Sequence, residues 1–405
     1  MRASRGAPAE GARSVLRHLD VIWGVGFIMP MHMAPGARQD RLALGVEQIG
    51  VLRESLDDTE LTLLSQLYAA QGAPDAALAL AGIAAGPSTR GLQLCQARAL
   101  FALGERARAL QLVDVLLTSQ PGDVLASFYK AQFLAQTEQH ARARAVLREL
   151  IEQLPDFPGA LPALAQLSFP GPPYRDLLRR LHQTLRPRTY LEIGVEHGTT
   201  LSLASHSELA IGIDPVPRPI PEPSRPGTRL FHMTSDAFFA SQRREEVLGE
   251  RHVDLAFIDG MHWFEFALRD FCNVEAWCHP GSTVVLHDCL PVSAVAAERQ
   301  RRTTFWVGDT WKALECLLRE RQDLAIHVVP CHPSGLVIVQ NLDPASSTLR
   351  AQLEALERRY LTEPYPYAAD LPAHYPLVNN SEPDLTNFIS ALTALPSGRV
   401  ASQRV

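Results

Sequence analysis

Four side chains able to do acid–base or ligand chemistry fall in two short segments: Asp259 and His262 in Ile258-Asp-Gly-Met-His262, and His287 and Asp288 in Leu286-His-Asp288. An imidazole titrating near ~6.5 can take a proton from a hydroxyl at neutral pH, which makes His262 the first candidate for a general base. Asp259 and His287 are the catalytic candidates beside it. The carboxylates Asp259 and Asp288 could instead hold a divalent cation such as magnesium, which would lower the pKa of an acceptor hydroxyl. A single histidine is also compatible with an ordinary polar place at the rim of a site.

A second group of residues suggests what is bound. The turn Glu192-Ile-Gly194-Val-Glu-His-Gly198-Thr-Thr200 has glycines that let a ligand approach the backbone as the chain leads toward a helix. A dinucleotide fingerprint would place a glycine at position 196, where this chain has glutamate. Carboxylates at 192 and 196 oppose a pyrophosphate and suit a ligand carrying an ammonium and a sulfonium. Asp214, twenty residues after Gly194, is placed to accept from ribose hydroxyls, and Asp236 can accept from an adenine amino group. Each of these acids can also be a helix cap. Their recurrence at the ends of consecutive strands favours a shared nucleoside site.

The elements that position these residues are short apolar runs at 189–193, 209–213, 229–233, 253–259, 282–287, 326–330 and 336–340, separated at first by amphipathic segments. Continuous apolar strands alternating with helices imply a parallel sheet buried on both faces. Only residues 331–335 lie between the last two runs, too few for a parallel crossover, so the sheet ends in an antiparallel hairpin. A dinucleotide-binding domain would continue with parallel strands.

From 174 to 342 the chain resembles the class I methyltransferases that use S-adenosylmethionine, in particular the branch with E-I-G-x-x-x-G, I-D-G-x-H and a late H-D pair. Those motifs stand here as Glu192 to Gly198, Ile258 to His262, and His287-Asp288, and Gly308-Asp-Thr-Trp311-Lys312 looks like a further element of that branch. The resemblance implies an α/β fold with a seven-stranded Rossmann-like sheet ending in a hairpin. It implies S-adenosylmethionine held by Glu192, Gly194, Gly198, Asp214 and Asp236, and O-methylation of a small-molecule or sugar hydroxyl with His262 as base. Some related enzymes hold a metal on a pair such as Asp259 and Asp288, but position 287 is histidine here, a poor magnesium ligand. Two other functions remain open: an interaction protein that binds the cofactor without turnover, and a methyltransferase acting on a captured protein or peptide.

Before the α/β region, residues 57–165 carry a period. Ala97, Leu100, Ala109, Leu112, Leu116 and Pro121 are matched 34 residues later by Ala131, Leu134, Ala143, Val146, Leu150 and Pro155. Small residues let paired helices approach closely, and the proline ends the second of them. This resembles the tetratricopeptide repeat, an all-α domain that either offers a surface to a protein or peptide partner or only stabilises its neighbour. Prolines at 158, 162, 170, 172 and 173 mark the boundary that follows. Residues 1–36 read as a poorly structured extension or a start assigned too far upstream, and 343–405 as a helix and a Tyr/Pro-rich tail that covers the substrate mouth or is partly ordered.

A net charge of -6 provides no positive field for nucleic acid or an anionic membrane, and no run reaches the ~20 apolar residues of a membrane span. The six cysteines show no zinc spacing, so reduced, mostly buried thiols and a cytoplasmic location are expected.

Overall fold

The computed structural model describes residues 57–82, 90–218, 227–365, 374–375 and 377–393. The extension 1–36 lies outside the described residues, as do Pro366 and Tyr367 of the tail. The chain divides into two compact units, Met1–Ala160 and Leu161–Val405.

The first unit is helical: α1 (Asp58–Ala70), α2 (Pro74–Ala81), α3 (Arg90–Ala102), α4 (Arg106–Ser119), α5 (Val124–Gln136) and α6 (His140–Gln153). Helices α3 and α4 recur 34 residues later as α5 and α6, whereas α1 precedes α3 by 32. Ala109 and Ala143 are both fully buried, as close approach within each pair requires. Asp123 caps α5 by accepting from the Leu125 and Ala126 N–H groups and also pairs with Arg90 at the start of α3. Helix α7 (Ala160–Ser168) begins where this unit ends.

The second unit opens with α8 (Tyr174–Leu185), followed by β1 (Thr189–Ile193), β2 (Leu209–Ile213), β3 (Thr228–Phe231), α9 (Ser235–Ser241), α10 (Arg244–Leu248), β4 (Val253–Ile258), α11 (Phe264–Trp277) and β5 (Cys278–His287). It closes with α12 (Trp311–Glu320), β6 (Ala325–Val329), β7 (Leu336–Gln340), α13 (Leu353–Leu361) and α14 (Asp384–Ala391). The strands form one seven-stranded sheet in the order β3-β2-β1-β4-β5-β7-β6. Strands β1 to β5 pair in parallel, and β7 runs antiparallel to both β5 and β6. Every residue of β1 and β2 is buried, so both faces of the sheet are covered.

The strand order reverses between β1 and β4, and the crevice beyond their carboxyl ends is where α/β sheets place ligands. The Gly194 N–H donates to the Ile213 carbonyl and the Asp259 N–H to the Ile193 carbonyl, both at 2.9 Å. These two bonds hold the ends of β2, β1 and β4 level.

Three sequence expectations are corrected. The turn after β1 leads into a single 3-10 turn, Leu201–Leu203, and not a regular helix before β2 begins. Strand β3 ends at Phe231, and Thr234 caps α9 by accepting from Ala237, so Asp236 sits in the first turn of that helix. Strand β5 begins at Cys278, earlier than the apolar run, with a register shift against β4 between Val253 and Leu255. Beyond Leu342, α14 places Leu385 and Ile389 in one core cluster with Leu177, Leu181, Tyr190, Phe257 and Val285. All six cysteines are free and buried, and among the described residues no helix is long and apolar enough to cross a membrane.

Gly194 has φ +87°, and a Cβ there would lie 1.9 Å from the Asp259 carbonyl oxygen. That oxygen belongs to backbone pinned by the ladder and cannot retreat. Gly194→Ala is expected to cost about 2 kcal/mol or more in chemical denaturation. An unchanged midpoint would show that the turn is not under this constraint.

Candidate functional site

The glycine turn is built on Glu192, fully buried in β1. Its carboxyl accepts from the Tyr190 hydroxyl at 2.6 Å and from Thr200 Oγ1 at 2.8 Å. Burial pushes the carboxyl up to about 8, more than those two hydrogen bonds pull it down. Glu192 therefore braces the turn from beneath and is closed to solvent. Asp214, half-buried, ties the loops after β1 and β2 together. Its Oδ2 accepts from the Val195 and Glu196 N–H groups and its Oδ1 from the Val216 N–H. These bonds use three of the about four acceptor positions of a carboxylate. Gly198 has φ +69° at the end of the same turn. Asp236 stands apart from this group: Arg269 holds both its oxygens, at 3.1 and 3.0 Å, and also donates to Glu357.

The four residues with the sharpest chemistry do converge. His287 lies between two carboxylates, its Nδ1 3.1 Å from Asp259 Oδ1 and 3.4 Å from Asp288 Oδ1. Its Nε2 is 3.3 Å from Ser334 Oγ, and that hydroxyl donates to Asp288. Burial works against the His287 imidazolium, but Asp288 and Asp259 outweigh it and raise its pKa well above the ordinary value. Burial likewise works against the Asp288 carboxylate, which the charges of His287 and His262 nevertheless hold well below the usual range. The Tyr174 ring covers His287, with centroids 4.3 Å apart. At 6% exposed, His287 is sealed from an incoming substrate.

His262 is the more open imidazole, with a quarter of its side chain exposed. Its Nε2 is 3.1 Å from Asp288 Oδ2 and 3.8 Å from Asp259 Oδ1, and its Nδ1 is 3.3 Å from the Trp306 carbonyl. Asp259, His262 and Asp288 each offer a ligand atom, and those atoms lie within 4.8 Å of one another. The sequence reading paired the two carboxylates for a metal and looked to position 287. The geometry brings in His262 as the third donor.

Sequence reasoning missed Asp270, Ser334 and Trp306. Asp270 lies on α11 and lines a cavity of about 10 Å³ together with Asp259, His262, His287 and Asp288, a volume near that of one water. It is 1% exposed, its Oδ1 has no hydrogen-bond partner, and burial pushes the carboxyl up to about 7. A signal existed: Asp270 falls at helical spacing among Phe264, Ala267, Leu268, Phe271 and Val274, on the buried face of α11, where a charge needs a reason. Ser334 lies 46 residues from Asp288 and gave no such signal. Of the arginines after β5, Arg299 pairs with Glu265 and Arg302 with Glu298.

Residues 191–289 match a family model described as a methyltransferase domain. The matched stretch runs from β1 to just past β5 and contains the glycine turn, Asp214 and the Asp259–His262–His287–Asp288 cluster. No curated protein matches the chain. Among solved structures, the O-methyltransferase TomG from Streptomyces achromogenes, in complex with SAM, is similar at 16% identity over 42% of this chain and 80% of that one, with a TM-score of 0.32. The N-methyltransferase NodS from Bradyrhizobium japonicum is similar at 13% identity over 42% and 95%, with a TM-score of 0.32. An O-methyltransferase from Bacillus cereus, in complex with SAH, is similar at 12% identity over 54% and 99%, with a TM-score of 0.31.

Glu192 makes the second unit sensitive to pH with a definite sign. Its folded pKa near 8 lies above the unfolded value of 4.5, so the folded state keeps a proton that the unfolded state loses. Stability is expected to fall as pH rises from 4.5 to about 8. Glu192→Gln, which cannot ionise, should flatten that part of the curve. A wild-type and variant pair with parallel denaturation midpoints across this range would refute the assignment.

Proposed function

We propose that the chain is an S-adenosylmethionine-dependent methyltransferase acting on the hydroxyl of a small molecule, with His262 as general base. The observation that carries this reading is the meeting of the glycine turn with Asp259, His262 and Asp288 at the carboxyl ends of β1, β4 and β5. The remaining acceptor position on Asp214 suits a ribose hydroxyl. Asp236, whose oxygens each keep a second acceptor position beside Arg269, is assigned the adenine amino group. Glu196, exposed on the turn and 3.5 Å from Arg218, supplies negative charge near a sulfonium.

When bound, S-adenosylmethionine supplies an electrophilic methyl group on a positively charged sulfur. The chain's part is alignment and proton removal. Transfer of that methyl to the acceptor oxygen would leave the sulfur with the electron pair of its broken bond and the acceptor with a proton to lose. The acceptor's proton passes to His262 Nε2. Asp288 and Asp259, 3.1 and 3.8 Å from that same nitrogen, then offset the charge of the imidazolium. His287 stays buried and keeps the two carboxylates together, an electrostatic role in place of the direct one expected from sequence.

The donor set favours a second reading of the same residues. Asp259, His262 and Asp288 would hold a divalent cation, and Asp270, which carries an unpartnered oxygen, lines the same cavity. An imidazole in that set suits manganese, iron or zinc better than magnesium. Such an ion would polarise the acceptor oxygen and leave His262 no longer available as a base. The first unit's 34-residue helix pairs favour a separate role, a tetratricopeptide-like surface for a protein or peptide partner.

Calorimetric titration should show micromolar binding of S-adenosylmethionine that Asp214→Ala weakens by at least ~10-fold, the loss of about one hydrogen bond to the ligand. No binding by the folded wild type would sink the reading. With an accepted hydroxyl substrate, His262→Ala should lower kcat by roughly 100-fold or more while binding persists. Turnover should withstand EDTA; a loss restored by manganese would transfer Asp259, His262 and Asp288 to the metal reading.

A further inference from the structure

Helix α11 carries two adjacent charged residues that both reach the first turn of α9. Arg269 binds both oxygens of Asp236, through Nε at 3.1 Å and Nη2 at 3.0 Å. Asp270 lines the small cavity beside Asp259, His262 and Asp288, and the side chain of Ser235, the residue before Asp236, hydrogen-bonds to its carboxyl. The start of α9 is thus fastened to α11 at the edge of the reaction site, and Asp236 lies on that seam.

The guanidinium is itself held. Its Nη1 donates to Glu357 on α13 at 3.0 Å, and its Cζ lies 4.4 Å from the centroid of the Phe266 ring. The side chains of Arg269 and Glu357 are each 24% exposed, whereas Asp236 keeps 41% of its side chain in solvent. An ion pair so open adds little to stability. Its effect on direction is larger. A planar fork that grips both oxygens fixes the plane of the carboxylate, and each oxygen keeps a second acceptor position turned away from the guanidinium. Without the fork, a short acidic side chain on an exposed turn samples several rotamers, and binding would have to order it.

We propose that Arg269 is a positioning residue for recognition of the cofactor's base: it holds the Asp236 carboxylate in an orientation that accepts from the adenine amino group. This rests on the cofactor reading given above and on the place assigned there to Asp236. Arg269 makes no contact with the cofactor in this scheme. It acts through Asp236, and Glu357 and Phe266 hold it in turn. Selectivity for an amino group on the purine follows, because a fixed carboxylate facing a base without that donor is left with an unpaired, desolvated oxygen.

The test is calorimetric titration of the full chain with S-adenosylhomocysteine and with its 6-deamino analogue, which carries hydrogen in place of the adenine amino group. Wild type should bind S-adenosylhomocysteine roughly 10-fold or more tighter than the analogue, the worth of about one charge-assisted hydrogen bond. Asp236→Ala should bring the two affinities together by weakening only the first. Arg269→Met should narrow the preference in the same way, and adding it to Asp236→Ala should change neither affinity further. An arginine with a merely structural role would instead weaken both ligands alike, with or without Asp236. If Arg269→Met does not fold, Arg269→Gln carries the same comparison. A wild type that binds both ligands equally, a preference that survives in Asp236→Ala or in the arginine variant, or parallel weakening of both ligands would overturn the proposal and leave the cofactor reading standing. No binding of S-adenosylhomocysteine by the folded wild type would remove that reading and the proposal with it.

Discussion

Two neighbouring strands, β4 and β5, end in carboxylates that point into one small space, and Asp259 and Asp288 would repel each other there without a counter-charge. The buried His287 ring between them supplies it, and the Ser334 hydroxyl completes the hydrogen bonds the cluster needs. The other features of the site follow from this arrangement. Asp288 adopts φ +58° to turn its carboxylate back toward His287, and Tyr174 closes the space from α8. Removing the imidazole would take a counter-charge from the buried Asp288 and the partly exposed Asp259, so the cluster is as much a folding constraint as a chemical device.

The same electrostatics explain why His262 can be read in two ways. Its Nε2 faces carboxylate oxygens, an arrangement that is stable with a proton on that nitrogen or with a cation shared between the three side chains. Proton and metal compete for one place, and a group that holds one cannot at that moment hold the other. Asp270, buried with an unused oxygen in the same cavity, adds to the affinity of that place for positive charge. A local excess of negative charge is also what a transferable methyl on sulfonium requires of its surroundings.

Much of the sheet was legible because strands buried on both faces must be continuously apolar, and a linker as short as 331–335 admits only a hairpin. The motif residues were legible because glycine and charged side chains at strand ends stand out against such runs. Contacts made at long range were not. Ser334 reaches Asp288 only after the hairpin has folded back, and α14 reaches the core from beyond residue 380, so nothing local announces either. Asp236 was legible as a carboxylate following a strand, but its place in the first turn of α9 and its pairing with Arg269, 33 residues away, were not. The 3-10 turn after β1 stands where a helix was expected, in a connection interrupted by Gly198, Ser202, Ser205 and Ser207.

Strand β7 lies between β5 and β6 in space although it follows both in the chain, and the connection leading into it carries Ser334. During synthesis, then, β5 leaves the ribosome with an open edge and with His287 and Asp288 lacking their hydroxyl partner. It stays so until some fifty further residues have emerged. A chain stalled before residue 336 has the glycine turn and both carboxylates but not the strand that seals them. The order of translation thus makes the charged cluster among the last parts of the sheet to be completed, and a fragment ending there would show a quality-control system a bare strand edge and a partly wet core.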